Sequence, residues 1–488
     1  MLSFDNSYSA LPDRFFARVR PTAVGAPRMI KFNHALAAEL GITADLDNEE
    51  GAAIFAGNAI PAGANPISMA YAGHQFGAFV PQLGDGRAIL LGEVIDRNGI
   101  RRDIQLKGAG RTPYSRGGDG RAAIGPVLRE YAVSEAMHAL GIPTTRALAA
   151  VTTGDPVYRE TTQPGAVLTR IAASHIRVGT FQFFAARGDV EGLKALADYT
   201  IDRLYPDLKK PDLKTGADPY LALLRRVAER QASLVARWLG IGFIHGVMNT
   251  DNSSISGETI DFGPCAFMEA YDPGTVFSSI DRGGRYAYQN QGGIAQWNVA
   301  RLAETLLPLI DEDVDKAVEM ANQAVIDFAG MFTTAWYAVM RRKLGLVAEE
   351  NDDGMLIQSL LDLMQANEVD FTRGFRALSE EEGAFVALFP EPTGPAQWLA
   401  AWRDRAARET TSDAERSAMM RAANPVYIPR NHLIEEAITA AAERDDFGPF
   451  ETLLDVLSQP YEKRTFVPER YELPAKPEER VLRTFCGT

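Results

Sequence analysis

Cysteine is almost missing from this chain: Cys265 and Cys486 are the two in 488 residues. Two thiols build no disulfide framework, and neither a Cys-x-x-Cys pair nor a zinc-type Cys/His spacing occurs. Both therefore read as reduced thiols of a reducing compartment. Positive charge is also short. The formal net charge is −14 and no basic stripe appears, which excludes a general nucleic-acid binder. No run of about 18 apolar residues is long enough for a membrane-spanning helix. The start, Met1-Leu2-Ser3-Phe4-Asp5, lacks the basic and apolar regions of a secretory signal. Low-complexity tracts and fixed-period repeats are absent as well. The expectation is a cytoplasmic globular protein, a monomer, with no membrane or nucleic-acid partner.

What is present is an ordinary globular composition, 46% hydrophobic and 23% charged. The length allows roughly three domains. Residues 1–80 give only local signals: Asn33 can cap a short helix through Leu40, Gly41 can end it, and Pro61, Gly63 and Pro66 mark loops. Sharper patterns begin at the tight turn Leu83-Gly84-Asp85-Gly86-Arg87. An apolar strand from Ala88 to Val94 follows, then an Asn98-Gly99 turn and a strand from Asp103 to Lys107. Backbone amides of such a glycine turn, with the lysine ammonium, can face phosphates; a plain hairpin with an exposed lysine is the alternative.

Gly125-Pro126 opens a helix through Leu140, proline suiting its first position. At about 100° per residue Glu130 shares a face with Val127, Ser134 and Met137, so it can turn inward as partner to a buried lysine or outward to solvent. Between Lys107 and this helix, residues 108–121 hold five glycines and three arginines in fourteen positions. Glycine lets backbone approach an anion and arginine forks clamp phosphate oxygens, so this loop reads as phosphate-facing. Strands are expected over Ala147 to Thr152 and Gly165 to Ala172, and a helix from His175 to Ala186. Arg170 ends a strand and Arg177 sits at a helix start, where a cation opposes the macrodipole unless an anion is bound; surface arginines are the alternative for both. Residues 190–240 are helical, with a core stripe from Leu221 to Trp238. Further helices are expected from Trp297, from Asp311 to Arg342 and in shorter segments to about Gln459, before an extended, proline-punctuated tail.

The chemistry concentrates at residues 245–263, His245-Gly246-Val247-Met248-Asn249-Thr250-Asp251-Asn252, a short hairpin-like stretch, and Asp261-Phe262-Gly263. In a protein kinase, a His-x-Asp supplies the base, an Asn downstream holds one metal ion, and an Asp-Phe-Gly aspartate holds the other. His245 and Asn252 keep that seven-residue spacing, but the base position is Val247, and a different carboxylate, Asp251, precedes Asn252.

With these motifs in view, the chain resembles the SelO (selenoprotein O, YdiU) family along nearly its whole length. The carriers are Phe4-Asp5-Asn6-Ser7-Tyr8, Tyr71-Ala72-Gly73-His74-Gln75-Phe76-Gly77, Leu83 to Arg87, Gln105-Leu106-Lys107-Gly108 and His245 to Asn252. The resemblance implies an α+β, protein-kinase-like two-lobed fold with N-terminal and C-terminal helical extensions. Its parts would be an N-terminal extension packed on the lobes (1–80), a small lobe (81–150), a large lobe with the catalytic loop (151–310) and a helical extension with tail (311–488). It implies transfer of AMP from ATP to Ser, Thr or Tyr hydroxyls of acceptor proteins, with Mg2+ or Mn2+. Gly84, Gly86, Arg87, Lys107, Asp119, Gly120, Arg170 and Arg177 would line the nucleotide pocket, with Glu130 pairing Lys107. Asp251 would be the base, and Asn252 and Asp261 the metal ligands. ATP would lie flipped relative to a kinase, its far end meeting the added arginines. Phe262 stands where the family often carries tyrosine. Selenocysteine-bearing members have a Cys-x-x-Sec tail, whereas Cys486 stands alone, so a Cys265–Cys486 crosslink is the minor reading beside reduced thiols. A kinase transferring the γ-phosphate with Asp251 as displaced base, or a nucleotide-binding pseudokinase without turnover, are the alternatives.

Overall fold

The computed structural model describes residues 2–209 and 218–484. Its strands are β1 (Phe16–Arg18), β2 (Arg28–Phe32), β3 (Ile67–Met69), β4 (Gly73–Gln75), β5 (Ala78–Val80), β6 (Ala88–Ile95), β7 (Arg101–Lys107), β8 (Ala122–Ala123), β9 (Arg146–Tyr158), β10 (Thr162–Ala172), β11 (Phe243–Ile244) and β12 (Ala266–Phe267). One antiparallel sheet runs β1-β3-β6-β7-β10-β9-β2, with β8 on β10. The chain is thus mixed α and β with antiparallel sheets. Residues 1–80 supply three strands of the sheet, and β9 crosses position 150.

Helices α1 (His34–Glu39) and α2 (Glu49–Ala56) cover one face of the sheet. Each is capped by an asparagine, Asn33 accepting from Leu36 N and Asn48 from Gly51 N. The other face meets α3 (Ile124–Ala139). Alternation along β7 decides what each face receives: Ile104 and Leu106 enter the core with Phe55, Leu91, Val151 and Val167, so Gln105 and Lys107 face the opposite way.

After α4 (Val178–Ala185) and α5 (Val190–Leu204) come the long helices α6 (Pro219–Gly240), α7 (Gln291–Ile310) and α8 (Val314–Lys343). Asp218 and Asp313 cap α6 and α8, and Arg341, Arg342 and Lys343 close α8 where cations suit the dipole. Helices α9 (Asp353–Ala366), α10 (Phe371–Glu380), α11 (Glu382–Val386), α12 (Thr393–Ala406) and α13 (Asp413–Ala423) share an aromatic core containing Phe371, Phe385, Trp398 and Trp402. Helices α14 (Asn431–Arg444) and α15 (Gly448–Leu457) return to α3, where Arg129 pairs with Glu435 and the rings of Tyr131 and Phe450 lie 5.7 Å apart. None of the described helices is long and apolar enough to cross a membrane.

Several boundaries differ from the sequence expectation: β9 runs on to Tyr158 rather than Thr152, β10 starts at Thr162 rather than Gly165, and α8 starts at Val314 rather than Asp311. α4 begins at Val178 rather than His175, because Ile176 is paired as extended backbone with Ile255 and the His175 N–H goes to Asp103. α7 begins at Gln291, six residues before Trp297. The stretch before Asp261 is not paired with itself: Ser254 bridges to Arg177 and Thr259 to Thr144. Among the described residues the tail after Leu457 has only single 3-10 turns, and Thr484 is paired to Ser278. Cys486 lies outside the described residues, and Cys265 is buried.

A buried polar network ties the N-terminus to the sheet. The Ser7 and Tyr8 N–H groups donate to Glu93 Oε1 at 3.0 and 2.6 Å, and Arg203 reaches both Glu93 and Asp103, the latter at 2.6 Å. His175 Nδ1 donates to Asp103 at 2.8 Å. Burial, against the pull of Asp103, brings His175 down from 6.5 to about 4. The unfolded chain therefore takes up a proton first, so stability is full above pH 6.5 and falls as pH drops toward 4. The expected loss is on the order of a few kcal/mol. Urea denaturation at several pH values should show this slope, and His175→Gln should flatten it; an unchanged slope would remove His175 as the cause.

Candidate active site

Strand register gathers the first charged groups. Arg170 on β10 lies opposite Gln105 on β7, and Lys107 is two residues further along the same face. Gln105 Oε1 accepts from Arg170 Nη2 at 2.6 Å, while its Nε2 donates to Asp85 Oδ2 at 3.1 Å. From α3, Glu130 reaches this face from a buried position, 2.5 Å from Lys107 Nζ and 3.1 Å from Arg170 Nη1.

The second set comes from residues 245–265, held between the paired strands β11 and β12. The Val247 N–H donates to His245 Nδ1, so His245 Nε2 carries the proton donated to Ile260 O at 2.9 Å, fastening the start of the loop to the approach of Asp261. Asp261 has φ of 62°, left-handed backbone that costs a non-glycine residue on the order of 1–3 kcal/mol. That turn places its carboxylate among three cations: Lys107 Nζ and Arg170 Nη1 each 2.7 Å from Oδ1, and Arg177 Nη1 2.7 Å from Oδ2. Burial alone would raise its pKa, but Arg170, Lys107 and Arg177 hold it well below the usual carboxylate range.

Arg177 precedes α4 and also donates to the Asp251 main-chain oxygen at 2.6 Å. Its cation at a helix start is thus offset by protein groups. Asp251 itself is buried. Gln75 Nε2 lies 3.3 Å from its Oδ2, and its Oδ1 has no hydrogen-bond partner. Burial pushes its carboxyl up to about 6, against the pull of Arg177. The β4–β5 hairpin forms its roof: Thr250 Oγ1 accepts from His74 N at 2.7 Å, Asn249 Oδ1 accepts from Phe76 N at 3.0 Å, and a Cβ on Gly73 would lie 2.7 Å from Asp251 Oδ1.

These groups wall a cavity of about 320 Å³, within the range of small-molecule sites. Every residue singled out from the sequence lines it: Gly84, Gly86, Arg87, Lys107, Asp119, Gly120, Glu130, Arg170, Arg177, Asp251, Asn252 and Asp261. Gly84 is required twice over, by a φ of 75° and by the Tyr114 ring 2.3 Å from where its Cβ would be. Asp119 does not face the cavity as a lone acid; it forks with Arg159 at 2.9 and 3.1 Å.

Sequence reasoning quoted Asp85, Gln105 and Tyr71 as motif members without giving them a role, and it passed over Arg159. Asp85 is buried inside the glycine turn, accepting from Met69 N and Gln105, and burial pushes it up to about 6. The arginine face of Arg177 lies 4.7 Å over the Tyr71 ring. Position two before Lys107 on one strand face was the available clue to Gln105.

The donor set suits a hard divalent cation. Asn252 donates an Nδ2 proton to Val247 O, which leaves its amide oxygen for a cation, and Asn252 and Asp261 line the same cavity; an ion held there would complete its oxygen shell with phosphate. Among the described residues no cluster of three or more His, Cys, Asp or Glu forms an all-protein cage.

A family model described as protein adenylyltransferase SelO matches residues 1–458. The chain belongs to the SelO family. Full-length relatives carry the name protein nucleotidyltransferase YdiU. The protein from Rhizobium rhizogenes K84 is 64% identical over 494 residues, covering 100% of this chain and 97% of the relative. Those from Rhizobium meliloti 1021 and Agrobacterium fabrum C58 are each 62% identical, covering 99% and 100% of both chains respectively. The chain is thus an enzyme of a nucleotidyltransferase family, and its basic, part-enclosed cavity fits a nucleotide.

In this SelO-family site, Gln105→Leu leaves Arg170 Nη2 without its acceptor and takes one of two donors from Asp85 Oδ2, Met69 N remaining. Denaturant unfolding should show a loss of about 1–3 kcal/mol; a loss within error would mean that water replaces both bonds.

Proposed function

We propose that the protein is a kinase-like adenylyltransferase that moves AMP from ATP to a Ser, Thr or Tyr hydroxyl of an acceptor protein. One observation carries the reading. A buried carboxylate, Asp251, with an unpartnered oxygen, shares a cavity with the Lys107, Arg170 and Arg177 cations, while the kinase base position is the apolar Val247.

Lys107, Arg170 and Arg177 bind phosphate oxygens, and the 108–121 loop with Arg87 and Arg159 extends that basic surface along the triphosphate. Asn252 and Asp261 would hold Mg2+ or Mn2+. Such an ion, when bound, neutralises developing charge on the phosphates. Glu130 keeps the lysine in place. The flipped ATP offers its α-phosphorus to the acceptor. The hydroxyl oxygen forms a bond to that phosphorus, the bond to pyrophosphate breaks, and the hydroxyl proton passes to Asp251 Oδ1. A carboxyl with pKa of about 6 is ionised at neutral pH yet more basic than an exposed aspartate, which suits proton acceptance. The setting is the cytoplasm, with the enzyme acting as a monomer.

The test incubates the purified protein with ATP labelled on the α- or the γ-phosphate, with Mg2+ or Mn2+ and a mixed acceptor pool. Label on protein from α-labelled ATP alone is expected; γ-label would overturn the proposal in favour of a kinase, and neither label with ATP bound would make it a scaffold. Asp251→Ala should keep nucleotide binding and lose transfer by about 10²–10⁴-fold. Asp261→Ala should abolish metal-dependent binding, measured by calorimetry.

A further inference from the structure

The roof over Asp251 continues outward into a surface that the nucleotide chemistry does not use. Gln75, which touches Asp251, is followed around the β4–β5 turn by residues that lean on α7 and on the segment before it. The His74 ring lies 5.2 Å from Trp297 and 4.9 Å from Phe79. The Phe76 ring lies 5.1 Å from Tyr286, whose hydroxyl donates to Asn249 Oδ1 at 2.6 Å, two residues before Asp251. Tyr286 therefore joins this surface to the loop that carries the base.

Arg285 stands at its centre. Its guanidinium carbon is 4.8 Å from the Trp297 ring and 5.7 Å from the Tyr286 ring, and a Cβ on Gly77 would lie 3.6 Å from it. Held flat by these neighbours, it has no carboxylate paired with it among the described residues. Arg301, on the other side of Trp297 at 5.0 Å, is paired with Glu304 at 2.7 Å. Arg285 thus carries an unpaired charge on this surface, and the exposed Arg282 on the same segment adds a second cation. A shallow depression formed with Gln289, Asn290, Gly293 and Ile294 lies against it. Apolar groups flank it: Phe79 is 41% exposed on the hairpin, and Ile280 is 64% exposed on the segment leading to Arg285.

We infer that this surface docks the acceptor protein through an acidic segment, an Asp or Glu of which forks with Arg285 while a neighbouring apolar residue covers Phe79. The inference rests on the proposed transfer to proteins for its biological sense, but not for its test. A stacked guanidinium keeps its Nη edge for a bidentate carboxylate and loses little freedom on pairing. In a chain of net charge −14, an acidic partner is repelled from most of the surface, so a fixed cation on a surface joined through Tyr286 to the Asp251 loop sets where it lands as well as how tightly. Partner charge would then select which hydroxyl reaches Asp251.

Fluorescence anisotropy of the full-length protein tests this with two fluorescein-labelled peptides. One has a central serine flanked by Glu and Leu; in the other, Lys replaces each Glu. The acidic peptide should bind, more weakly as salt rises, and the lysine peptide should not. Arg285→Gln should weaken the acidic peptide at least tenfold and Arg285→Lys should weaken it less, both with unchanged melting temperature and ATP binding. No binding of the acidic peptide, equal binding of the two peptides, or unchanged binding by Arg285→Gln would each overturn the inference. Concentration-dependent self-association that Arg285→Gln abolishes would assign the surface to a second copy of this chain and overturn it too. Peptide binding that behaves as expected, without α-label transfer, would sink the proposed function and leave the docking surface standing.

Discussion

One carboxylate organises the centre of this molecule. Asp261 is shared by a lysine and two arginines that arrive from β7, β10 and the entry to α4, and each is buried or nearly so. Cations so placed cannot be left without a counter-charge, because removing one partner of a buried pair costs about 3–5 kcal/mol. The left-handed turn at Asp261 is stabilised by what it reaches, which is how a strained aspartate persists in a loop. The same arrangement keeps three cations close together at the wall of a cavity, where an anionic ligand meets them already fixed in place.

Geometry further out follows from strand register and helix packing. Because β7 and β10 pair with Gln105 opposite Arg170, the arginine, the glutamine and Lys107 share a face, and Asp85 orients the glutamine amide so that its oxygen meets the guanidinium. Glu130 completes this face from α3, and α3 is in turn held by α14 and α15. Gly125 meets Ile438 so closely that a Cβ there would lie 3.1 Å from its side chain. The helices at the end of the chain are therefore part of what sets the Lys107–Glu130 distance.

Much of this was legible in the residues. The glycine turn, the strand ending at Lys107 and the helix about Pro126 follow from period and turn chemistry alone, whereas the inward side of Glu130 was one of two readings that period left open. The His245 to Gly263 spacing located the second half of the site. What stayed hidden was long-range. Strands of three residues, such as β1 and β3, carry no period of their own and exist because a distant strand pairs with them. The start of α7 was masked by Gly292 and Gly293, poor helix formers; position 292 is glycine inside the helix because a Cβ there would lie 2.6 Å from the Phe332 ring. The start of α4 was misplaced because pairing with Ile255 and Asp103 overrides local helical preference. Asp85 and Gln105 stood in the quoted motifs without a role, since their roles come from partners and not from type.

The bracing of α3 has a consequence for synthesis. Arg129 and Glu435 are 306 positions apart in the chain, and a ribosome makes the glutamate last of the two by that margin. Until α14 and α15 emerge, α3 lacks the elements that seat it, and Glu130 is not held at Lys107. The Lys107–Glu130 pair is therefore among the last features of the molecule to be finished, so a nascent or prematurely terminated chain would carry all the residues that line the cavity without their final arrangement.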